Sequence, residues 1–230
     1  MNRSREIVVV ESSELAAIAA HRIAQLIREV GQRRPTVSLA LAGGGTPRAM
    51  HEKLVLQTEM PWQKLSIFFG DERSVPPDSP DSNYRMARES LLDHIALTDG
   101  QIHRMRAEAP DRDASARAYE AELPSTLDLL ILGIGEDGHT ASLFPGAAAM
   151  GEQERRVLPV VGPKPPPHRL TITPPVIAAA ERVVVLASGA GKAGPVQRAL
   201  EGDWDPLQTP AQLAREALWI VDSAAAAQLA

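Results

Sequence analysis

The feature that most constrains this chain is an alternation. Short aliphatic runs take turns with segments of helical period, and several runs end on glycine or acidic residues. Ile7 to Val10, Val37 to Leu41, Leu65 to Phe69, Leu127 to Leu132, Val183 to Leu186 and Leu218 to Val221 read as strands. Val157 to Val161, Leu170 to Thr173 and the short run Ile102 to Met105 are further strand candidates. From Leu15 to Val30, Ile18, Ile23, Leu26, Ile27 and Val30 fall at helical spacing, with Ser12 and Ser13 as candidate N-caps and Gly31 as the expected stop. More helices are expected from the turn holding Pro47 to about Gln57, over Asn83 to Ile95, over Asp111 to Glu122 and over Lys192 to Leu200. A continuous apolar run such as Leu127 to Leu132 suits a strand buried on both faces of a parallel sheet. The alternation therefore predicts an α/β fold, a single doubly wound, mostly parallel sheet with helices on both faces, spanning residues 1–230 as one domain. In such a sheet the strand-to-helix junctions share one edge, where ligands bind.

Three of those junctions carry chemistry. Gly43-Gly44-Gly45-Thr46-Pro47 follows the second strand. Glycines let backbone N–H groups approach an anion, the helix start adds its positive dipole end, and Thr46 adds a hydroxyl. The spacing matches neither a dinucleotide fingerprint nor a P-loop, so no nucleotide is implied. Gly70-Asp71-Glu72-Arg73 follows the third strand. Arg73 offers a planar fork for carboxylate or phosphate, and Asp71 could fix that fork or accept a sugar hydroxyl. Taken alone, the run reads more readily as a solvated salt-bridge turn; its position at a strand end points towards function. The third junction is Gly133-Ile-Gly-Glu-Asp-Gly-His-Thr140. His139 is the side chain best suited to move protons near neutral pH, and Glu136 or Asp137 could fix its tautomer. One histidine and two adjacent acids do not match a metal-ligand spacing, so no metal is expected. Lys192, near a helix start, and Arg169, after the proline-rich run 162–167, are further candidate anion ligands.

Composition narrows the function classes. The formal net charge is −5, no basic block is present and aromatic residues make up 3% of the chain, which argues against a nucleic-acid partner. No run is long enough to cross a bilayer and the N-terminus lacks a signal-like apolar segment, so no membrane partner is expected. With no cysteine, disulfides, thiolate nucleophiles and thiolate metal sites are excluded, and a reducing cytoplasm is the expected location.

Taken together, these runs resemble the 6-phosphogluconolactonase family. The matching stretches are Leu41 to Pro47, Phe69 to Pro76 with Ser82-Asn83, Gly133 to Pro145, Pro163 to Thr173 and Ser188 to Ala193. Glucosamine-6-phosphate deaminases share the fold and a similar Asp-Gly-His core. The continuation Thr140-Ala-Ser-Leu-Phe-Pro145 and the Gly-Asp-Glu-Arg junction follow the lactonase pattern instead. The resemblance implies hydrolysis of 6-phospho-D-glucono-1,5-lactone in the oxidative pentose phosphate pathway, with a phosphorylated sugar lactone as substrate and no cofactor. His139 would serve as base for water, supported by Asp137 or Glu136. Gly43, Gly44, Gly45, Thr46, Asp71, Arg73, Arg169 and Lys192 would hold the substrate. Two other readings stay open: an amino-sugar-phosphate deaminase or isomerase, and a non-catalytic sugar-phosphate sensor.

Overall fold

A computed structural model describes residues 5–230. Six strands form one wholly parallel sheet: β1 (Glu6–Val10), β2 (Val37–Leu41), β3 (Leu65–Phe69), β5 (Leu129–Gly133), β8 (Arg182–Ala187) and β9 (Leu218–Asp222), in the spatial order β1-β9-β8-β5-β2-β3. The alternation of side chains along each strand builds a core on each face. Leu39, Leu41, Ile67, Ile131, Val184 and Ile220 pack with α1 (Leu15–Arg33), α2 (Gly45–Leu54) and α3 (Asn83–Ser90). Ala40, Phe68, Leu130, Leu132, Val185 and Trp219 face the other way, towards α4 (Arg112–Glu122), α5 (Pro174–Ala179) and α6 (Ala193–Leu200). Both faces of the sheet are covered, as the apolar strands require.

The sequence did not announce a second, three-stranded antiparallel sheet. In it, β4 (Asp71–Arg73) and β6 (Val157–Val161) flank β7 (His168–Ile172). Its register pairs Arg73 with Arg169 and Asp71 with Thr171, which brings the second junction beside the proline-rich segment.

Local departures from the expected elements have physical causes. α1 runs through Gly31 to Arg33, because its face between Leu15 and Val30 is held by burial rather than by a terminal cap. Its N-cap is Glu14, with no side-chain cap; Ser12 instead donates to Asp222 Oδ2 at 2.7 Å. The Asn83 segment ends as a helix at Ser90, and a separate short 3-10 turn covers Leu92–His94. Ile102 to Met105 forms no strand; Ile102 makes a single parallel bridge to Ile67. The edge strand β3 is closed from the side by α4: the buried Tyr119 hydroxyl accepts from Phe69 N at 2.7 Å and lies 3.1 Å from Phe69 O. That contact satisfies backbone groups an edge strand would otherwise leave open.

Candidate active site

The C-terminal ends of β2, β3, β5 and β8 surround a cleft of about 270 Å³, whose wall includes Gly43, Gly44, Asp71, Arg73, Asn83, Glu136, His139, Lys164, Arg169 and Lys192. Each junction is built by its own residues. At β5, Gly135 N donates to His139 O at 2.8 Å and Gly138 takes a left-handed φ of 92°, so the chain folds back on itself. The fold-back sets His139 Nδ1 2.5 Å from Asp137 Oδ1. A Cβ on Gly135 would lie 2.0 Å from that same nitrogen, so only glycine admits the pair. Burial raises the Asp137 carboxyl, but the His139 side-chain and backbone hydrogen bonds, together with the nearby His139 and Lys164, hold it below the ordinary carboxylate range. An ionised Asp137 accepting from Nδ1–H leaves Nε2 as the basic nitrogen on the cleft side of the pair. Glu136, the other candidate supporter, is exposed and reaches towards Gly191, where an added Cβ would meet its Oε1 at 3.2 Å. The loop conformation thus pairs Asp137 with the histidine and turns Glu136 to the Lys192 junction.

At β3 the Asp-Glu-Arg run is not a solvated salt-bridge turn. Glu72 is 4% exposed and accepts from Arg73 N, Asn83 N, Tyr84 N and the Ser82 hydroxyl at 2.7 to 3.0 Å. It anchors the start of α3, where Ser82 is also the N-cap, accepting from Arg85 N. Burial pushes Glu72 above the usual carboxylate range, against the lowering influence of these donors. Asp71 takes a different set of partners: the Ser142 hydroxyl at 2.5 Å, the Asn83 amide at 3.1 Å and Arg169 Nη1 at 4.0 Å. Asn83 closes the gap to the first junction, since a Cβ on Gly43 would lie 2.0 Å from its Oδ1. Arg73 donates through Nη1 to Asp81 O at 2.6 Å, while its Nε is buried without a partner among the described residues.

Arg169 is 6% exposed and fixed from several sides. Its Nε donates to Pro166 O and its Nη2 to Lys164 O, so the guanidinium also holds the proline-rich loop. The Phe144 ring lies between the two functional groups, 5.4 Å from the Arg169 guanidinium carbon and 4.7 Å from the His139 ring centre. At β8, Asp222 shapes the Lys192 loop by accepting from Ser188 Oγ at 2.6 Å and Gly189 N at 3.0 Å. Burial raises the Asp222 carboxyl, but its hydrogen bonds from Ser188, Ser12, Ala225 and Gly189 bring it down to about 2. The C-terminal region joins the site as well: Ala211 N donates to Gly138 O at 3.0 Å.

The family model for glucosamine-6-phosphate isomerases and 6-phosphogluconolactonases matches residues 10–220. The chain belongs to this family. Among the family's curated members, the 6-phosphogluconolactonase of a Synechocystis species is 39% identical over 221 residues, covering 90% of this chain and 89% of the relative. The 6-phosphogluconolactonase structure from Trypanosoma brucei superimposes with a TM-score of 0.87 at 32% identity, over 99% of this chain and 98% of that one. A monomeric glucosamine-6-phosphate deaminase superimposes almost as well, with a TM-score of 0.86 at 26% identity over 97% and 99% of the two chains. The doubly wound fold is thus common to both activities within the family.

Against this family background, the structure brings together most of the residues singled out from sequence. Gly43, Gly44, Asp71, Arg73, Glu136, His139, Arg169 and Lys192 all line the cleft, with Asp137 directly behind His139. Gly45 and Thr46 open α2 one step beyond the cleft wall. Sequence reasoning passed over Lys164, Asn83, Ser142 and Phe144 as site residues. Each lies inside a run that carried the family resemblance, and that was the available signal. Among the described residues, no three His, Asp or Glu side chains are grouped to hold a metal, and no helix is long and apolar enough to cross a membrane.

Proposed function

We propose that this chain hydrolyses 6-phospho-D-glucono-1,5-lactone to 6-phospho-D-gluconate, a cytoplasmic step of the oxidative pentose phosphate pathway, with His139 as the base and no metal in the step. The observation that carries this reading is the 2.5 Å pair of His139 Nδ1 and Asp137 beside a cleft that also holds Arg73, Lys164, Arg169 and Lys192. An imidazole fixed in one tautomer is equipped to move a proton. Four cations in so small a space suit a substrate bearing a phosphate and developing negative charge at a carbonyl.

In this scheme a water molecule attacks the lactone carbonyl carbon and gives its proton to His139 Nε2. The oxyanion that forms is stabilised by the surrounding cations. When the tetrahedral intermediate collapses, the bond from the carbonyl carbon to the ring oxygen breaks, and His139 returns the proton to that oxygen. Asp137 stays ionised and stabilises the imidazolium between the two transfers. Asp71 and Asn83 sit where sugar hydroxyls would be read, and the backbone of Gly43 and Gly44 adds donors for an anion. Fixed groups and an oriented water suffice, since the lactone already hydrolyses slowly unaided.

The test is acid release from freshly prepared lactone by the purified chain, before and after treatment with a chelator. Equal, enzyme-dependent rates in both support the reading; loss of activity with the chelator contradicts the metal-free step. The near-equal match to a deaminase structure makes ammonia release from glucosamine 6-phosphate the discriminating control. Ammonia without lactone hydrolysis would favour the deaminase reading, and neither activity would favour a sensor.

A further inference from the structure

A second histidine is engaged through both ring nitrogens, at the opposite edge of the sheet from the His139 cleft. His103 Nε2 lies 3.0 Å from Ser66 Oγ, and His103 Nδ1 lies 3.0 Å from Glu122 Oε2. The imidazole is stacked on Phe68, with centres 4.5 Å apart and planes 7° from parallel, and His103 N donates to Ile67 O at 2.8 Å. Ring and backbone are therefore both fixed. Ser66 is the second residue of β3 and stands in register beside Ser38 of β2. The three side chains come from β3, the segment that leads into α4 and the last turn of α4, and they line a cleft of about 410 Å³.

From this constellation we infer a second hydrolytic centre, in which Ser66 is a nucleophile towards small uncharged esters. With Glu122 accepting from Nδ1–H, Nε2 is left basic and faces the Ser66 hydroxyl, the order of roles a serine hydrolase needs. Arg34, the cation of this cleft, is already paired with Asp128 and with Glu181. Phe68, Pro35 and Pro124 supply apolar wall, so an uncharged acyl group is favoured over a phosphorylated one. Ser66 Oγ would bond to the ester carbonyl carbon as its proton passes to Nε2. Breakage of the ester C–O bond would release the alcohol carrying that proton. Water would then cleave the acyl-serine, with its proton returning through His103 to Ser66, so that ester and water give acid and alcohol. The donors available to the oxyanion are side chains at the rim, Thr36 and Thr126. These stabilise it less than fixed backbone N–H groups, so turnover is expected to be slow.

Covalent labelling is the sensitive test. A fluorophosphonate would form a bond from Ser66 Oγ to phosphorus and expel fluoride, and peptide mass analysis would find the adduct on Ser66. Ser66→Ala should abolish labelling, and Glu122→Gln and His103→Ala should slow it, the latter by about 100-fold. His139→Asn should label at the wild-type rate, and hydrolysis of p-nitrophenyl acetate should follow the same pattern. Unchanged lactone hydrolysis in Ser66→Ala confirms that the variant is folded. An adduct elsewhere, no adduct, or labelling indifferent to His103 and Glu122 would overturn the inference.

Discussion

Two histidine–carboxylate pairs sit at opposite edges of one parallel sheet, and their surroundings assign them different work. His139 is paired with an acid two residues away, inside a loop that folds onto itself, and it shares its cleft with four cations. His103 is paired with an acid 19 residues away on a helix, lies flat on an aromatic ring and faces a serine. The ring chemistry is the same in both. The surroundings of Nε2 differ: a cleft lined by four cations in one case and a hydroxyl in the other. A histidine's role is therefore legible from what its second nitrogen meets, more than from its acid.

The contrast can be broken experimentally at graded cost. The largest expected effect on stability is at Arg169, whose buried guanidinium ties Asp71, Phe144 and the proline-rich loop together. Arg169→Met should lower unfolding free energy by about 3 kcal/mol and raise KM for the lactone, measured by urea unfolding and steady-state kinetics. A fully stable variant would mean that Arg169 is a rim charge and not a strut. Next, Asp137→Asn should reduce kcat by roughly 10- to 100-fold with little change in KM, whereas Glu136→Gln should change kcat far less. Equal losses at the two positions would undo the pairing drawn here.

Asp222 is a carboxylate with no histidine, held instead by hydroxyl and backbone donors. Its folded pKa, about 2, is the lower one against about 3.9 unfolded. The stabilisation is therefore fully present above about pH 4 and is lost as pH falls towards 2. Asp222→Asn should cost roughly 2 kcal/mol at pH 7, and the gap to wild type should close in acid; a gap constant from pH 7 to pH 2 would contradict this. Smallest is Phe144→Leu, which removes the ring between His139 and Arg169. It should cost about 1 kcal/mol and lower kcat a few-fold, with the fluorophosphonate reaction at Ser66 untouched.

How much of this was legible in sequence follows from how local each feature is. The six strands of the parallel sheet and the glycine-rich junctions depend on runs of neighbouring residues, and they appeared close to their expected bounds. The three-stranded sheet depends on Arg73 meeting Arg169, 96 residues further on, and β4 is only three residues long, every one of them ionisable. Ser12 had the chemistry of an N-cap, but a buried carboxylate at Asp222 claimed its hydroxyl. The choice between Glu136 and Asp137 turned on the left-handed Gly138, which the letters alone do not reveal. Lys164 and Phe144 reached the site through tertiary packing: the first is carried by a loop fastened to Arg169, and the second is wedged between the Arg169 guanidinium and the His139 ring.

If His139 carries the proton in lactone hydrolysis, kcat for fresh 6-phosphogluconolactone, corrected for spontaneous hydrolysis, must separate wild type from His139→Asn. A fall of about 10²- to 10⁴-fold is expected, with KM nearly unchanged. Equal kcat values in the two proteins would contradict it.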